Sequence, residues 1–83
     1  MSAGAIQSDT LKALVSHHAI RDVIVGRLNG DNAMWTLSIR LGHPASRLMV
    51  VRSRREPVRV WTSLTAIGRF ADSIGLKGFS VEL

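Results

Sequence analysis

Arginine is the residue type in which the sequence concentrates its chemistry. The chain has 83 residues, with 11 Lys and Arg against 6 Asp and Glu, and a formal net charge of +5. Residues 40–59 contain six arginines and a single acidic residue, Glu56, so this window carries the whole net charge. A charge confined to one quarter of a chain predicts a localised binding surface rather than general solubility.

The arginines favour an anionic partner, because the planar guanidinium donates two parallel hydrogen bonds to a phosphate or a carboxylate. Nucleic acid is the first candidate, and its affinity would fall steeply with salt. An acidic protein partner fits the same charges, as does a solvated edge of the fold that binds nothing. The predicted nucleic-acid or anion-binding residues are Arg21, Arg40, Arg47, Arg52, Arg54, Arg55 and Arg59.

Other chemistries have little support in the sequence. The chain has no cysteine, which excludes disulfides, Cys-based zinc sites and thiol nucleophiles. His17 and His18 are adjacent, and neighbouring helical side chains point about 100° apart, so this pair is poorly placed to chelate one metal. There is no phosphate-binding glycine loop and no nucleophile elbow. We therefore expect a non-enzymatic protein without metal or cofactor; an enzyme subunit would need a pocket with convergent polar groups.

Two amphipathic helices are predicted in the domain, which we expect to span residues 8–83 after a flexible tail of residues 1–7. Ser8 is a good N-cap for a first helix over residues 9–17, with apolar residues spaced at helical intervals. The second helix begins after Thr62 or Ser63. It ends at Gly75, which suits the C′ position of a Schellman motif.

Alternating apolar residues predict strands over residues 22–28, 35–41, 46–52 and 79–83, with a short edge strand over 58–60. The order α-β-β-β-(β)-α-β predicts a small α+β domain, in which two helices pack on one face of a mostly antiparallel sheet. No apolar stretch approaches the ~20 residues of a spanning helix. Because no signal peptide precedes the domain, a cytoplasmic protein is expected.

The register of the sheet follows from its two predicted turns. A turn at residues 30–31 places Gly26 opposite Trp35, and a turn at 42–45 places Leu48 opposite Ile39. The helix-covered face would then hold Ile24, Leu28, Trp35, Leu37, Ile39, Leu48 and Val50. The same register turns Asp22 toward this packed face, where Arg69 or Lys77 could be its partner.

The opposite face of the predicted sheet is half-apolar and ringed by arginine. Its apolar residues are Val23, Val25, Met34, Met49 and Val51. Arg21, Arg40 and Arg47 align in one row across three strands, a destabilising arrangement unless an anion lies against it or the register is wrong. Half-apolar surfaces of this kind also occur at protein interfaces. A protein-interaction adaptor or a homodimer that uses this face, without binding nucleic acid, is therefore the alternative function.

Residues 55–81 contain a recognisable pattern of Trp61, Leu64, Phe70 and Gly75, followed by Phe79-Ser80-Val81. This segment, about a third of the chain, resembles the C-terminal half of ParC-like partition-associated accessory proteins, which are encoded beside partition genes on plasmids and integrating conjugative elements of proteobacteria. They are unrelated to the topoisomerase subunit of the same name. The resemblance implies a role in mobile-element maintenance through DNA or a partition-type protein, and it brings no catalytic residues.

Overall fold

The computed structural model describes residues 4–28 and 31–82, with backbone only at residues 31 and 32. It confirms the predicted α+β class, with two helices and a five-stranded, mostly antiparallel mixed sheet. The elements are β1 (Ala5–Gln7), α1 (Ser8–Ser16), β2 (Ile20–Leu28), β3 (Asp31–Leu41), β4 (Met49–Arg52), α2 (Leu64–Ser73) and β5 (Ser80–Glu82). No helix in this described part of the chain is long and apolar enough to cross a membrane.

The strand order β1-β4-β3-β2-β5 explains why both helices lie on one face. β3 is antiparallel to β2 and β4, while the outer pairs β1–β4 and β2–β5 are parallel. The connections β1-α1-β2 and β4-α2-β5 each move three strand positions in the same direction. Since parallel crossovers are right-handed, both helices pack on the same face. Among the described residues no helix packs on the opposite side of the sheet, which we call the uncovered face.

The core lies between that helical layer and the sheet. Leu11 of α1 and Ile67 of α2 are fully buried in one cluster with side chains from four strands and with Trp61. The buried residues of this cluster are Ile6, Leu11, Val25, Leu37, Ile39, Val51, Trp61 and Ile67. A single core shared by both helices confirms the expected packing on one face.

The helix ends show how local chemistry sets the element bounds. Ser63, one of the two predicted caps, accepts a hydrogen bond from the backbone N–H of Ala66 at 3.1 Å and begins α2. Gly75 has φ 87°, and the N–H of Leu76 donates to the carbonyl of Ala71 at 2.9 Å, which confirms the predicted Schellman motif. α1 ends in the same way, but with His18 at φ 56° in the position that favours glycine.

The N-terminal segment differs from the expectation of a tail. Residues 5–7 form β1, which pairs with β4, and Ile6 is only 5% exposed because it packs in the core. β1 leads into α1 without a loop, so Gln7 occupies the N-cap position and Ser8 is already helical. The predicted cap at Ser8 is therefore wrong, and its hydroxyl takes another role described below.

The predicted edge strand over residues 58–60 does not form. Trp61 makes an isolated antiparallel bridge to Trp35, with two N–H···O distances of 2.8 and 2.9 Å. The N–H of Arg59 donates to the carbonyl of Val51 at 2.9 Å. Pro57 has no N–H to contribute, which limits pairing along this segment.

The predicted register between β2 and β3 is wrong by one residue. Gly26 pairs with Thr36, and Val25 pairs with Leu37. Leu28 pairs with Asp31, so the connecting residues are 29–30, which lie outside the described residues, and the register shifts between Arg27 and Leu28. A strand has a side-chain period of two, so this slip turns β2 over.

The β3–β4 register is also displaced by one residue. Ile39 pairs with Met49 rather than with Leu48. The N–H of Leu41 donates to the hydroxyl of Ser46 at 2.8 Å, which replaces the backbone pair expected between these two residues. Pairing therefore resumes only at Met49, after a loop of residues 42–48.

These two slips exchange the predicted core and surface residues of β2 and β4, whereas Leu37 and Ile39 of β3 lie in the core as predicted. Val25 and Val51 are fully buried, and Val23 and Met49 pack against the core. Met34, the fifth predicted interface residue, is half-buried next to the register shift. The apolar interface expected from Val23, Val25, Met49 and Val51 is therefore a wrong prediction. The pairing instead places Ile24 and Val50, expected in the core, in one row with Ser38 on the uncovered face.

Candidate nucleic-acid interface

The predicted arginines divide into two groups that differ in their counter-charges. The first, which we call the Asp22 group, consists of Arg21, Asp22 and Arg40. The second, the arginine cluster, consists of Arg52, Arg54 and Arg59. Arg47 is exposed in the β3–β4 loop and Arg55 is exposed in the loop after β4.

In the Asp22 group, one carboxylate serves two arginines. Nε of Arg21 donates to Oδ2 of Asp22 at 3.0 Å, and Nη1 of Arg40 lies 3.7 Å from the same oxygen. Asp22 pairs across the strands with Arg40, and the register shift between Ile20 and Asp22 places Arg21 beside them. The row of unopposed charges expected from Arg21, Arg40 and Arg47 is therefore interrupted by Asp22.

The position of Asp22 corrects a second expectation. Its side chain was expected to face the core and to need Arg69 or Lys77 as a partner. The one-residue slip of β2 places it on the uncovered face, where its side chain is 40% exposed. An open groove of about 560 Å³ runs beside the group, lined by both arginines and by Asp22, Ser80 and Glu82 among others. Two cations and two carboxylates give this groove no net charge.

The arginine cluster is assembled by the connection between β1 and α1. β1 lies parallel to β4 and pairs Gln7 with Arg52, so the first turn of α1 reaches the end of β4. The loop after β4 then returns along the same end of the sheet with Arg54 and Arg59. Together these segments enclose a cavity of about 180 Å³, lined by Gln7, Ser8, Asp9, Arg52, Ser53, Arg54 and Arg59.

Neutral groups hold two of the three clustered arginines. Nε of Arg52 donates to the carbonyl of Ser53 at 3.1 Å. The guanidinium of Arg59 lies 4.8 Å from the ring centroid of Trp61 and 4.7 Å from that of Phe70. Its Nη1 also donates to the hydroxyl of Ser8 at 3.4 Å. Both arginines are half-buried, and neither has an ion pair with a carboxylate of the described residues.

The third clustered arginine has only a weak counter-charge. Arg54 lies 3.8 Å from the carboxylate of Asp9, and the two side chains are 84% and 86% exposed. Such an exposed pair contributes little free energy, because water and salt screen it. The cluster thus carries three cations against one loosely held anion.

The sequence indicated only part of this arrangement. Trp61 lies in the core and is 7% exposed. Arg59 and Trp61 are two residues apart, a spacing that would place both side chains on one side of the predicted edge strand. Phe70 contacts Trp61 with a centroid distance of 5.2 Å, but no sequence signal linked it to Arg59. Ser8 was identified only as a cap.

The three histidines lie at the end of α1 and in the β3–β4 loop, and the contact of His43 with Arg21 is made by its backbone carbonyl. His17 is the C-cap of α1 and His18 follows it, while His43 lies in the β3–β4 loop, where its carbonyl accepts from Nη1 of Arg21 at 3.5 Å. Within the part of the chain that the structure describes, no three His, Asp or Glu side chains come together as a metal site.

No protein-family model, no curated protein and no solved structure matches the chain. The resemblance of residues 55–81 to ParC-like partition-associated proteins therefore stays a prediction.

Proposed function

We propose that this chain is a non-enzymatic nucleic-acid-binding protein whose arginine cluster holds phosphate groups of the polynucleotide backbone. The proposal rests on how Arg52 and Arg59 are held and on the absence of a paired carboxylate for either among the described residues. Both are half-buried beside one cavity, oriented by a carbonyl, a hydroxyl and two aromatic rings, and neither is paired with a described carboxylate.

A phosphate supplies the negative charge that Arg52 and Arg59 do not receive from any carboxylate of the described residues. Guanidinium groups that are already oriented lose less conformational entropy on binding than free side chains do. The phosphate oxygens accept paired hydrogen bonds from such groups, and charged partners make these bonds stronger than neutral ones. Arg54 and the adjacent Arg55 are exposed, so they are free to reach neighbouring phosphates.

The biological setting proposed here follows from the resemblance. Residues 55–81 include Arg59, Trp61 and Phe70, so the ParC-like pattern and the arginine cluster share these residues. A cytoplasmic role in plasmid or mobile-element maintenance fits DNA as the ligand. A partition-type protein that presents acidic residues is the second candidate partner, because the same guanidinium geometry accepts carboxylates.

Fluorescence anisotropy with random-sequence duplex DNA tests the proposal. The unmodified protein is compared with Arg52→Gln/Arg54→Gln, which removes two positive charges from the cluster. The matched control, Lys12→Gln/Arg69→Gln, removes two exposed positive charges from α1 and α2. We expect the cluster variant to bind about 30-fold more weakly, since two arginine–phosphate contacts, each screened by water and salt to ~1 kcal/mol, are lost.

The control variant should change the affinity less than threefold, because neither Lys12 nor Arg69 lines the cavity of the arginine cluster. Circular dichroism melts check that each variant folds. If the unmodified protein does not bind duplex or single-stranded DNA at low ionic strength, nucleic-acid binding is overturned. An equal loss of affinity in both variants would show that net charge, rather than the cluster, drives binding.

A further inference from the structure

We infer that the ligand is double-stranded DNA and that the uncovered face of the sheet lies across a groove of the duplex. This inference rests on the proposed function and extends it from the arginine cluster to Arg40 of β3. In this arrangement the arginine cluster binds the phosphates of one strand, and Arg40 of the Asp22 group binds those of the other.

The sheet register sets the distance between the two groups. Ser38 pairs with Val50, so alternation directs Arg40 and Arg52 to the same face as that pair, on opposite sides of it. Arg40 lies two residues beyond Ser38 in one direction, and Arg52 lies two residues beyond Val50 in the other. At ~3.3 Å per residue their attachment points are about 13 Å apart along the strands. The major groove of B-form DNA is about 12 Å wide.

Small uncharged residues occupy the space between the two arginines. The pairings of all five strands align Ala5, Val50, Ser38, Ile24 and Ser80 in one row across the uncovered face. None of these side chains carries a charge, and none is long. The row itself therefore adds no charge that would repel the phosphates on either side.

The positions of the aromatic residues argue against a single strand as the preferred ligand. Single-stranded nucleic acids gain much of their affinity from bases stacked on exposed aromatic rings. The chain has two Trp, two Phe and no Tyr. Trp61 is buried, and Trp35, Phe70 and Phe79 are half-buried against the core. Guanidinium groups also cover three of the four rings, with Arg27 lying 5.5 Å from the Trp35 centroid.

Arg40→Gln tests this inference, because the substitution should change the affinity for duplex DNA but not the affinity for single-stranded DNA. Anisotropy is measured with a random-sequence DNA duplex and with a single strand of the same length. We expect the unmodified protein to prefer the duplex, and Arg40→Gln to lower duplex affinity about threefold without changing the single-strand affinity. Arg52→Gln/Arg54→Gln should lower the affinity for both duplex and single-stranded DNA, because the cluster binds one strand in either case.

The neutral row supplies a second test. Ser38→Glu places a carboxylate between the two groups and should lower duplex affinity at least tenfold, whereas Ser38→Gln, of similar size, should lower it less than threefold. Thermal melts establish that both variants are folded. Equal binding of duplex and single strand, or an equal effect of Arg40→Gln on both, would overturn the inference and leave the proposed function standing. Failure of both ligands to bind would overturn both.

Discussion

The two groups of arginines contain the same side chain but differ in what neutralises it. In the Asp22 group, Arg21 and Arg40 share one carboxylate at 3.0 and 3.7 Å, and the group carries a charge of +1. In the arginine cluster, Arg52 and Arg59 are held by a carbonyl, a hydroxyl and aromatic rings, none of which reduces their charge. An anion approaching the first group competes with Asp22, while one approaching the second meets only the exposed Asp9.

A charge count along the sequence therefore does not locate an anion site. Arg40 lies within the basic window of residues 40–59, yet its counter-charge, Asp22, lies outside that window. The strand pairing brings them together, and it leaves the arginine cluster as the more electropositive of the two groups. How each guanidinium is held in place matters as much as how many there are.

The largest expected effect is on the salt dependence of binding when each group is removed in turn. Because each phosphate contact releases counterions, the slope of log K against log salt changes by about 0.9 per contact. Arg52→Gln/Arg54→Gln should reduce the slope by about 1.8 and the duplex affinity about 30-fold. Arg21→Gln/Arg40→Gln should reduce the slope by about 0.9, since Asp22 already offsets one charge.

Anisotropy titrations at four or more salt concentrations provide both slopes. Lys12→Gln/Arg69→Gln, which removes the same formal charge from the helices, is the control for changes in net charge. Equal slope changes for the two double variants would contradict this distinction. They would show that Asp22 does not reduce the contribution of Arg21 and Arg40 to phosphate binding.

The fold class could be predicted from the sequence because its signals are local. The alternation around Trp35 and Leu37, the cap at Ser63 and the Schellman ending at Gly75 each depend on a few neighbouring residues. β1 was missed because three residues carry no detectable period, and Ile6 is ordered by its pairing with Val51 of β4. That contact is long-range and has no local signature.

The register, and with it half of the candidate site, could not be predicted. The shift between Arg27 and Leu28 and the hydroxyl of Ser46 each displace the pairing by a residue, and neither has a distinctive sequence pattern. One residue is enough to exchange the two faces of a strand. The arginines themselves were identified, but the neutral partners of Arg59 and the carboxylate between Arg21 and Arg40 depend on that register and on helix packing.

A smaller effect is expected from exchanging arginine for lysine in each group. Arg59→Lys keeps the charge but loses the flat guanidinium that lies against Trp61 and Phe70, so duplex affinity should fall about fivefold. Arg40→Lys should lower it about twofold, because a 3.7 Å contact with Asp22 needs only a point charge. Arg69→Lys, on the exposed side of α2, is the control. Similar losses for the first two variants would show that Arg59 is not specially positioned.

The smallest expected change in affinity comes from neutralising the carboxylate of each group, Asp9 beside the arginine cluster or Asp22 in the Asp22 group. Asp9→Asn removes the anion beside the cluster and should raise affinity about twofold for duplex and single-stranded DNA alike, since exposed pairs of this kind are worth less than ~1 kcal/mol. Asp22→Asn releases Arg21 and Arg40 and should raise duplex affinity about twofold while leaving the single strand unchanged. The two variants remove the same charge, so net charge cannot explain a difference between them. Anisotropy with both ligands measures it, and a gain of Asp22→Asn on single-stranded DNA equal to its gain on the duplex would place both groups on the same strand.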